Sequence, residues 1–260
     1  MKDFQDTVEM AKNTSELATN FYSDIRPVVQ PVAKCIGAVL ELAVSPIVFY
    51  SEKAQINLKH RLEQYQKKME NVQEEDRSEV HPEIGVPIMQ VLHYTTNDDI
   101  ADMFTNLLVS ASTTSMAGSA HPAFVEFIKH MSPDEARIVQ YLKDNDCIPY
   151  ITLKAFLAKP QKGFVTPYEN EVSLCADVNM MYPHNIHVYL SNLLSLGIIV
   201  DANTLHLMDD SIYEKIIRVN QLEQKKVDYE QMQVIERAEY KKGYYFVSEI
   251  GNLFIKACCR

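Results

Sequence analysis

Glycine is the conspicuous shortage, with 7 residues in a chain of 260. A sequence this poor in glycine and dominated by Leu, Ile, Ala, Glu, Gln and Lys favours helices. The shortage also removes the glycine-rich loops that cradle phosphates. The nearest approach, Gly163-Phe164-Val165-Thr166, has its lysine, Lys162, on the wrong side for a P-loop. No G-x-S-x-G, H-E-x-x-H or paired C-x-x-C occurs, so neither a nucleophile elbow nor a two-histidine metal helix is written in the sequence.

Positive charge is short as well. Lys and Arg number 25 against 35 Asp and Glu, a formal net charge of −10. Such a surface repels phosphate backbones and anionic headgroups unless cations are gathered locally. Lys67-Lys68, Lys225-Lys226 and Lys241-Lys242 are isolated pairs with acids nearby, so broad nucleic-acid affinity is not expected. Cys35, Cys147, Cys175, Cys258 and Cys259 are odd in number and lack a spaced framework. Adjacent cysteines seldom bridge because the geometry is strained, so reduced thiols in a cytoplasmic setting are expected. Met1-Lys2-Asp3-Phe4 leads into polar residues, so no secretory leader is expected.

What is present is globular composition, 47% hydrophobic and 23% charged, at a length that suits two ordinary domains. Residues 3–22 carry a loose amphipathic helix pattern. Residues 27–50 form the most apolar stretch and have the length of a membrane span. Lys34 and Glu41, spaced to share a helical face, and Pro46 all oppose constitutive insertion. Two readings stay open for this stretch, a buried core helix or a segment that meets a membrane or partner conditionally, with Lys34, Gly37, Glu41 and Pro46 as its marked residues. Residues 51–75 predict a long helix whose stripe Ala54, Leu58, Leu62, Tyr65, Met69 and Val72 seats it on one partner helix, within the chain or from another copy. Residues 74–79 read as a solvated turn.

His81-Pro82-Glu83 opens the next helix. Thr96-Asn97-Asp98-Asp99 then offers a cap with acids in the first turn, ahead of a clean apolar face at Ile100, Met103, Phe104, Leu107, Leu108 and Ala111. Residues 110–119 are small and polar and predict a frayed helix end plus a loop. A short helix from Pro122 to His130 precedes Ser132-Pro133-Asp134-Glu135, a capping box. Beyond it, Cys147–Leu157 has strand chemistry, and Lys159–Glu171 reads as a long loop. Pro183–Leu196 reads as a helix stopped by Gly197, then strand, turn and strand through Leu205-His206-Leu207. Residues 211–228 are polar and helical or irregular. Residues 233–238 and 244–247 suggest a hairpin around Lys241-Lys242-Gly243, followed by a helix capped at Ser248. The fold class expected is therefore mainly α, with a helical domain over 1–131 and an α+β winged-helix-like domain over 132–260.

Site chemistry is thin. Cys175, Asp177, His184 and His187 are the only set resembling a zinc site, and ordinary helix-terminal histidines explain them better. Cys147 and Cys175 lack a visible activating partner. Tyr182, Tyr189, Tyr244, Tyr245 and Phe246 lack interleaved cations, which favours core packing over base stacking. The outward residues of the 183–196 helix, His184, Asn185, His187, Ser191 and Asn192, are uncharged. They suit a protein partner better than duplex DNA.

The stretches HPEIGVPIMQVL, DDIADMFTNLLVSAS, HPAFVEFIKHMSPDEARIVQYL and EIGNLFIKACC resemble the abortive-infection alpha family of bacterial proteins, and PVAKCIGAVLE resembles the apolar segment its members carry. The resemblance implies a role in defence against phage. It supplies no catalytic residues, metal or cofactor. The expected function is thus a non-enzymatic antiphage protein acting through protein contacts, with itself or another defence component, or through the 27–50 segment. A winged-helix nucleic-acid-binding regulator and a toxin-neutralising partner are the alternatives.

Overall fold

A computed structural model describes residues 20–47, 52–202 and 205–260. The chain divides into two compact units, the first comprising the residues up to Ala136 together with Leu253–Arg260, the second Arg137–Asn252. The fold is mainly α, helical in its N-terminal part and α+β in its C-terminal part. Residues 3–19 of the expected first helix, and residues 48–50 of the apolar stretch, lie outside the described residues.

In the first unit, α1 (residues 20–29) runs through Pro27, and a 3-10 turn at Gln30–Val32 carries Pro31 into α2 (Ala33–Ile47). Over its described part the apolar stretch runs through the end of α1, the 3-10 turn and α2, and turns one face into the core. α2 buries Cys35, Ile36, Val39, Leu40 and Ala43, with Lys34 exposed, and continues through Pro46. Among the described residues no helix is long and apolar enough to cross a membrane. α2 packs against α4 (Pro82–Leu92), where Gly85 permits the approach. A Cβ at Gly85 would fall 2.6 and 2.8 Å from the methyls of Val39 and 2.9 Å from one of Val80.

α3 (Glu52–Met69) buries Leu58, Leu62, Tyr65 and Met69 of the expected stripe and packs within the chain on α5 (Asp98–Ala111). It ends at Met69, short of the expected residue 75. The reason is Arg77, whose guanidinium donates to the Met69 and Val72 carbonyls at 2.9 and 3.1 Å and places a cation at the helix C-terminus. A second stripe of α3 is polar. Asn57 Nδ2 donates to the carbonyls of Leu92, His93 and Thr95 at 2.9–3.1 Å. Arg61, 3% exposed, reaches Asp98 at 2.8 Å and the Thr95 and Thr96 carbonyls at 3.3 Å. The orphan carbonyls at the end of α4 are satisfied by α3.

Asn97 caps α5 as expected, its Oδ1 accepting from the Ile100 amide at 3.1 Å. From Ala101 to Ala111 every residue of α5 but Asp102 is buried, Thr105, Asn106 and Ser110 included. The small polar stretch after it is not frayed. Ser112 and Thr113 are buried and donate back to Leu108 and Val109, and Tyr65 meets Ser112 at 2.6 Å. Small hydroxyls serve here as buried contacts, which local composition cannot distinguish from a loop. α6 (Ala123–Lys129) follows. α7 (Pro133–Leu142) then begins with the expected capping box, the Ser132 amide donating to Glu135 Oε2 at 2.5 Å. Phe254 of α11 (Glu249–Cys258) sets its ring 5.2 Å from that of Phe124.

The second unit holds a four-stranded antiparallel sheet in the order β2-β1-β4-β3, with β1 (Cys147–Leu157), β2 (Phe164–Glu171), β3 (Ile199–Asp201) and β4 (Ile235–Val247). Three local expectations are corrected. Residues 164–171, expected in a loop, form β2, an edge strand that accommodates Pro167 beside a register shift. Leu205-His206-Leu207 is not a strand; β3 pairs instead with Val247, Phe246 and Tyr245 of β4. The presumed hairpin at Lys241-Lys242-Gly243 is continuous strand, because Gly243 is a packing residue rather than a turn. A Cβ at Gly243 would lie 2.3–2.6 Å from the ring and hydroxyl of Tyr150, the residue opposite on β1. α8 (Ile186–Ser195) precedes β3 and stops at Gly197, whose φ is +72°. α9 (Asp210–Val219) and α10 (Leu222–Glu230) cover one sheet face, Tyr213, Ile216 and Leu222 packing on Ile151. Leu153, Ala155 and Ala238 continue that core.

Gly85→Ala tests the α2–α4 crossing. Alanine is intrinsically better in a helix by about 1 kcal/mol, but overpacking against two stiff valines costs about 1–3 kcal/mol. The clash wins, and urea denaturation should show a net loss of stability.

Candidate functional site

In the second unit a cleft of about 530 Å³ lies between β2 and α8, lined by Thr166–Glu171, His187, Leu190, Ser191, Leu194 and Tyr245. Its floor is set by Asn170, which sits in the left-handed region at φ 53°. Asparagine tolerates that conformation better than other side-chain-bearing residues. Three bonds hold it there. The Asn170 amide N–H donates to Thr152 Oγ1 at 3.1 Å, Thr152 Oγ1 donates to Asn170 Oδ1 at 2.9 Å, and Asn170 Nδ2 donates to the Tyr245 hydroxyl at 2.8 Å. Glu171 approaches His187 across the cleft at 3.8 Å.

Behind the floor, the Tyr150 and Tyr245 rings lie 4.8 Å apart and Tyr150 donates to Asp201 at 2.8 Å. Burial, seconded by the Asp201 carboxylate, pushes the Tyr245 hydroxyl up to about 12, while the Asn170 bond acts in the opposite sense. Burial and the bond to Asp201 raise Tyr150 in the same way. Both hydroxyls are therefore protonated at neutral pH, that of Tyr150 donating to Asp201 and that of Tyr245 accepting from Asn170. Burial also pushes the Cys35, Cys147, Cys175 and Cys258 thiols up, away from the reactive thiolate.

The residues singled out from the sequence separate on inspection. His184, His187 and Ser191 are exposed on the outward face of α8 and the turn before it, whereas Asn185 and Asn192 are half-buried. Val188, 66% exposed, stands among the exposed three, and Met181 and Tyr182 are exposed just ahead. Of the expected aromatic cluster, Tyr189 and Tyr245 are core and Tyr244 and Phe246 pair at 6.4 Å. The zinc set does not assemble. Cys175 bonds the Pro183 carbonyl, Asp177 takes both oxygens to Lys215 at 2.7 Å, and His187 faces Glu171. In the 27–50 segment, Gly37 and Leu40 line an apolar groove of about 600 Å³ with Tyr22, Arg26 and Val29 of α1, and Lys34 is exposed. Glu41 and Pro46 lie within α2, and their side chains fall outside the described residues. Sequence reasoning missed Thr152, Asn170 and Asp201. The single hint was an asparagine between two glutamates, in a stretch that reads as loop.

Asn170→Ala should cost about 3–5 kcal/mol, the sum of left-handed strain of about 1–3 kcal/mol and two lost neutral bonds of about 1 kcal/mol each. Asn170→Gly should recover the strain but not the bonds, and thermal melts of the two variants separate the terms. The raised Tyr245 gives a second outcome. Its ordinary value is near 10 and its folded value higher, so its contribution is complete below about pH 10 and is lost as pH rises toward 12. Ultraviolet tyrosinate titration should show Tyr245→Phe removing a late-ionising group.

No curated protein matches this chain. A solved structure of an uncharacterised protein from the hydrocarbon-degrading marine bacterium Alcanivorax borkumensis SK2 is similar to it at 12% identity, covering 55% of this chain and 94% of that one, with a TM-score of 0.35. The family described as abortive infection alpha matches residues 53–258, which takes in α3 through α11, the cleft and the α8 face, while the apolar stretch of residues 27–50 precedes the match. This chain belongs to the abortive-infection alpha family.

Proposed function

We propose that this protein is a non-enzymatic, cytoplasmic antiphage protein of abortive-infection type that acts by binding another protein through the outward face of α8. The family suggests an abortive-infection-associated role. One observation carries the finer reading. Val188, Met181 and Tyr182 are exposed beside the uncharged polar residues His184, His187 and Ser191, and the cleft carboxylates Glu169 and Glu171 lie alongside. Apolar and aromatic side chains at the centre with charge confined to the rim is the composition of an interface core. The partner that fits offers an apolar anchor flanked by a basic side chain, whether on a second copy or on another defence component.

The winged-helix reading supports the same face. β1, β4 and β3 are antiparallel neighbours in that order, and α8 immediately precedes β3, the position a recognition helix takes. A recognition helix without cations on an acidic chain suits protein better than duplex DNA. A second reading rests on the apolar groove between α1 and α2, and on Leu42 of α2, which is 59% exposed. It makes that segment a conditional contact for membrane or partner.

Val188→Glu combined with Ser191→Lys tests the proposal. The wild type should reduce plaque counts and cross-link to a partner, and the double variant should lose both by tenfold or more with an unchanged melt. A variant that protects as well as the wild type would overturn the α8 reading. Fractionation of infected cells addresses the segment, since protein that stays in the soluble fraction while cells die sinks its membrane version.

A further inference from the structure

The sheet face opposite α9 and α10 carries a second surface, independent of α8. At its open end Phe156 of β1 pairs in register with Phe164 of β2 on one side and Arg237 of β4 on the other, so three adjacent strands place one row of side chains on the same face. The two rings lie 5.7 Å apart. Lys154 Nζ sits 4.3 Å from the Phe164 ring centre, and the Arg237 guanidinium 4.4 Å from that of Phe156. Phe164 is 49% exposed. The loop joining β1 to β2 adds Lys159 and Lys162, both exposed, which border a hollow of about 500 Å³ with Phe156 and Arg237.

We propose that this open sheet face binds single-stranded nucleic acid. Four cations drawn from sequence positions 154 to 237 converge here on a chain whose net charge is −10. The nearby carboxylates are Glu236 and Glu239, the latter pairing the Arg237 Nε at 2.7 Å. The patch therefore stays positive, and the phosphodiester backbone is its complement. Single strands are favoured over duplex because the aromatic row lies on a sheet, where an unstacked base can lie against a phenyl ring or an arginine plane. The guanidinium over Phe156 presents a planar cation of that kind. Duplex DNA would hide its bases from such a surface, and an anionic bilayer would be met by rings lodged in the sheet rather than by a protruding apolar tip.

Fluorescence anisotropy with labelled dodecamers of uridine, of thymidine and of a mixed duplex tests this on the full chain. One or both single strands should bind more tightly than the duplex. Affinity should fall roughly tenfold to twentyfold between 50 and 200 mM salt if about three phosphates are contacted. Phe164→Ala should weaken binding about fivefold or more through lost stacking. Lys159→Glu with Lys162→Glu, confined to the exposed loop, should weaken it at least as much without altering the melt. Preference between uridine and thymidine strands distinguishes RNA from DNA within the proposal. No binding at 50 mM salt overturns it. So does binding that survives Phe164→Ala while duplex competes equally, which is polyanion attraction only, or tighter binding to phosphatidylglycerol vesicles than to either strand. Val188→Glu with Ser191→Lys should leave oligonucleotide affinity unchanged, so failure of this surface and failure of the α8 reading are separate results.

Discussion

The constraint on which the first unit depends is that α5 is buried almost all round yet carries Thr105, Asn106 and Ser110 inward. A buried amide or hydroxyl without a partner costs on the order of 1–3 kcal/mol, so each neighbour of α5 must bring a complementary group to a fixed place. Lys68 of α3 does so by reaching Asp102, Thr105 Oγ1 and Asn106 Oδ1 at 2.5, 2.8 and 2.7 Å. Burial lowers the Lys68 ammonium from its ordinary value, while its bond to Asp102 acts in the opposite sense. The other half of the demand is met by α11, whose Cys258 and Ala257 carbonyls accept from Asn106 and Ser110 at 2.9 and 2.8 Å. The few inward polar groups of α5 are thus matched by two other helices. The same carbonyls would otherwise be orphans at a helix end.

The second unit answers a different problem. A four-stranded antiparallel sheet has two faces and needs only one in a core. Ile151, Leu153, Ala155 and Ala238 turn toward α9 and α10, and the alternation of the strands then obliges Thr152, Lys154, Phe156, Arg237 and Tyr245 to the other side. The cleft network and the basic aromatic row follow from that single alternation. Neither needed a dedicated element, only residues at the right parity on strands already fixed by packing.

How much of this could be read in advance depends on range. The N-cap at Asn97, the capping box at Ser132 and Glu135, and the glycine stop at Gly197 are local, and they stand where the sequence places them. Periodicity located the α3 stripe and the apolar face of α5. What local pattern could not supply is the identity of a distant partner. Gly243 looks like a turn until Tyr150 is laid opposite it, and Ser110 looks like loop until Ala257 arrives. The cations of the sheet face were discounted because no run of them exists. Their concentration arises only when β1, the β1–β2 loop and β4 are paired. The α8 candidate residues were half legible, since helical spacing separates exposed His184, His187 and Ser191 from the half-buried asparagines only once the core side is known.

The bond from Asn106 to the Cys258 carbonyl spans 152 positions of chain, and Arg137–Asn252 lies wholly between its ends. A loop of that length is closed against a large entropy, and contacts so distant in sequence form late. During synthesis, α5 is made long before the carbonyls that satisfy it. Until α11 is made, Asn106 has Asp102 and Lys68 as partners, but the carbonyls that accept from Asn106 and Ser110 are still to come. Completion of the first unit is therefore tied to the translation of the second, so that a ribosome halted within the sheet leaves a polypeptide whose helical core has not closed.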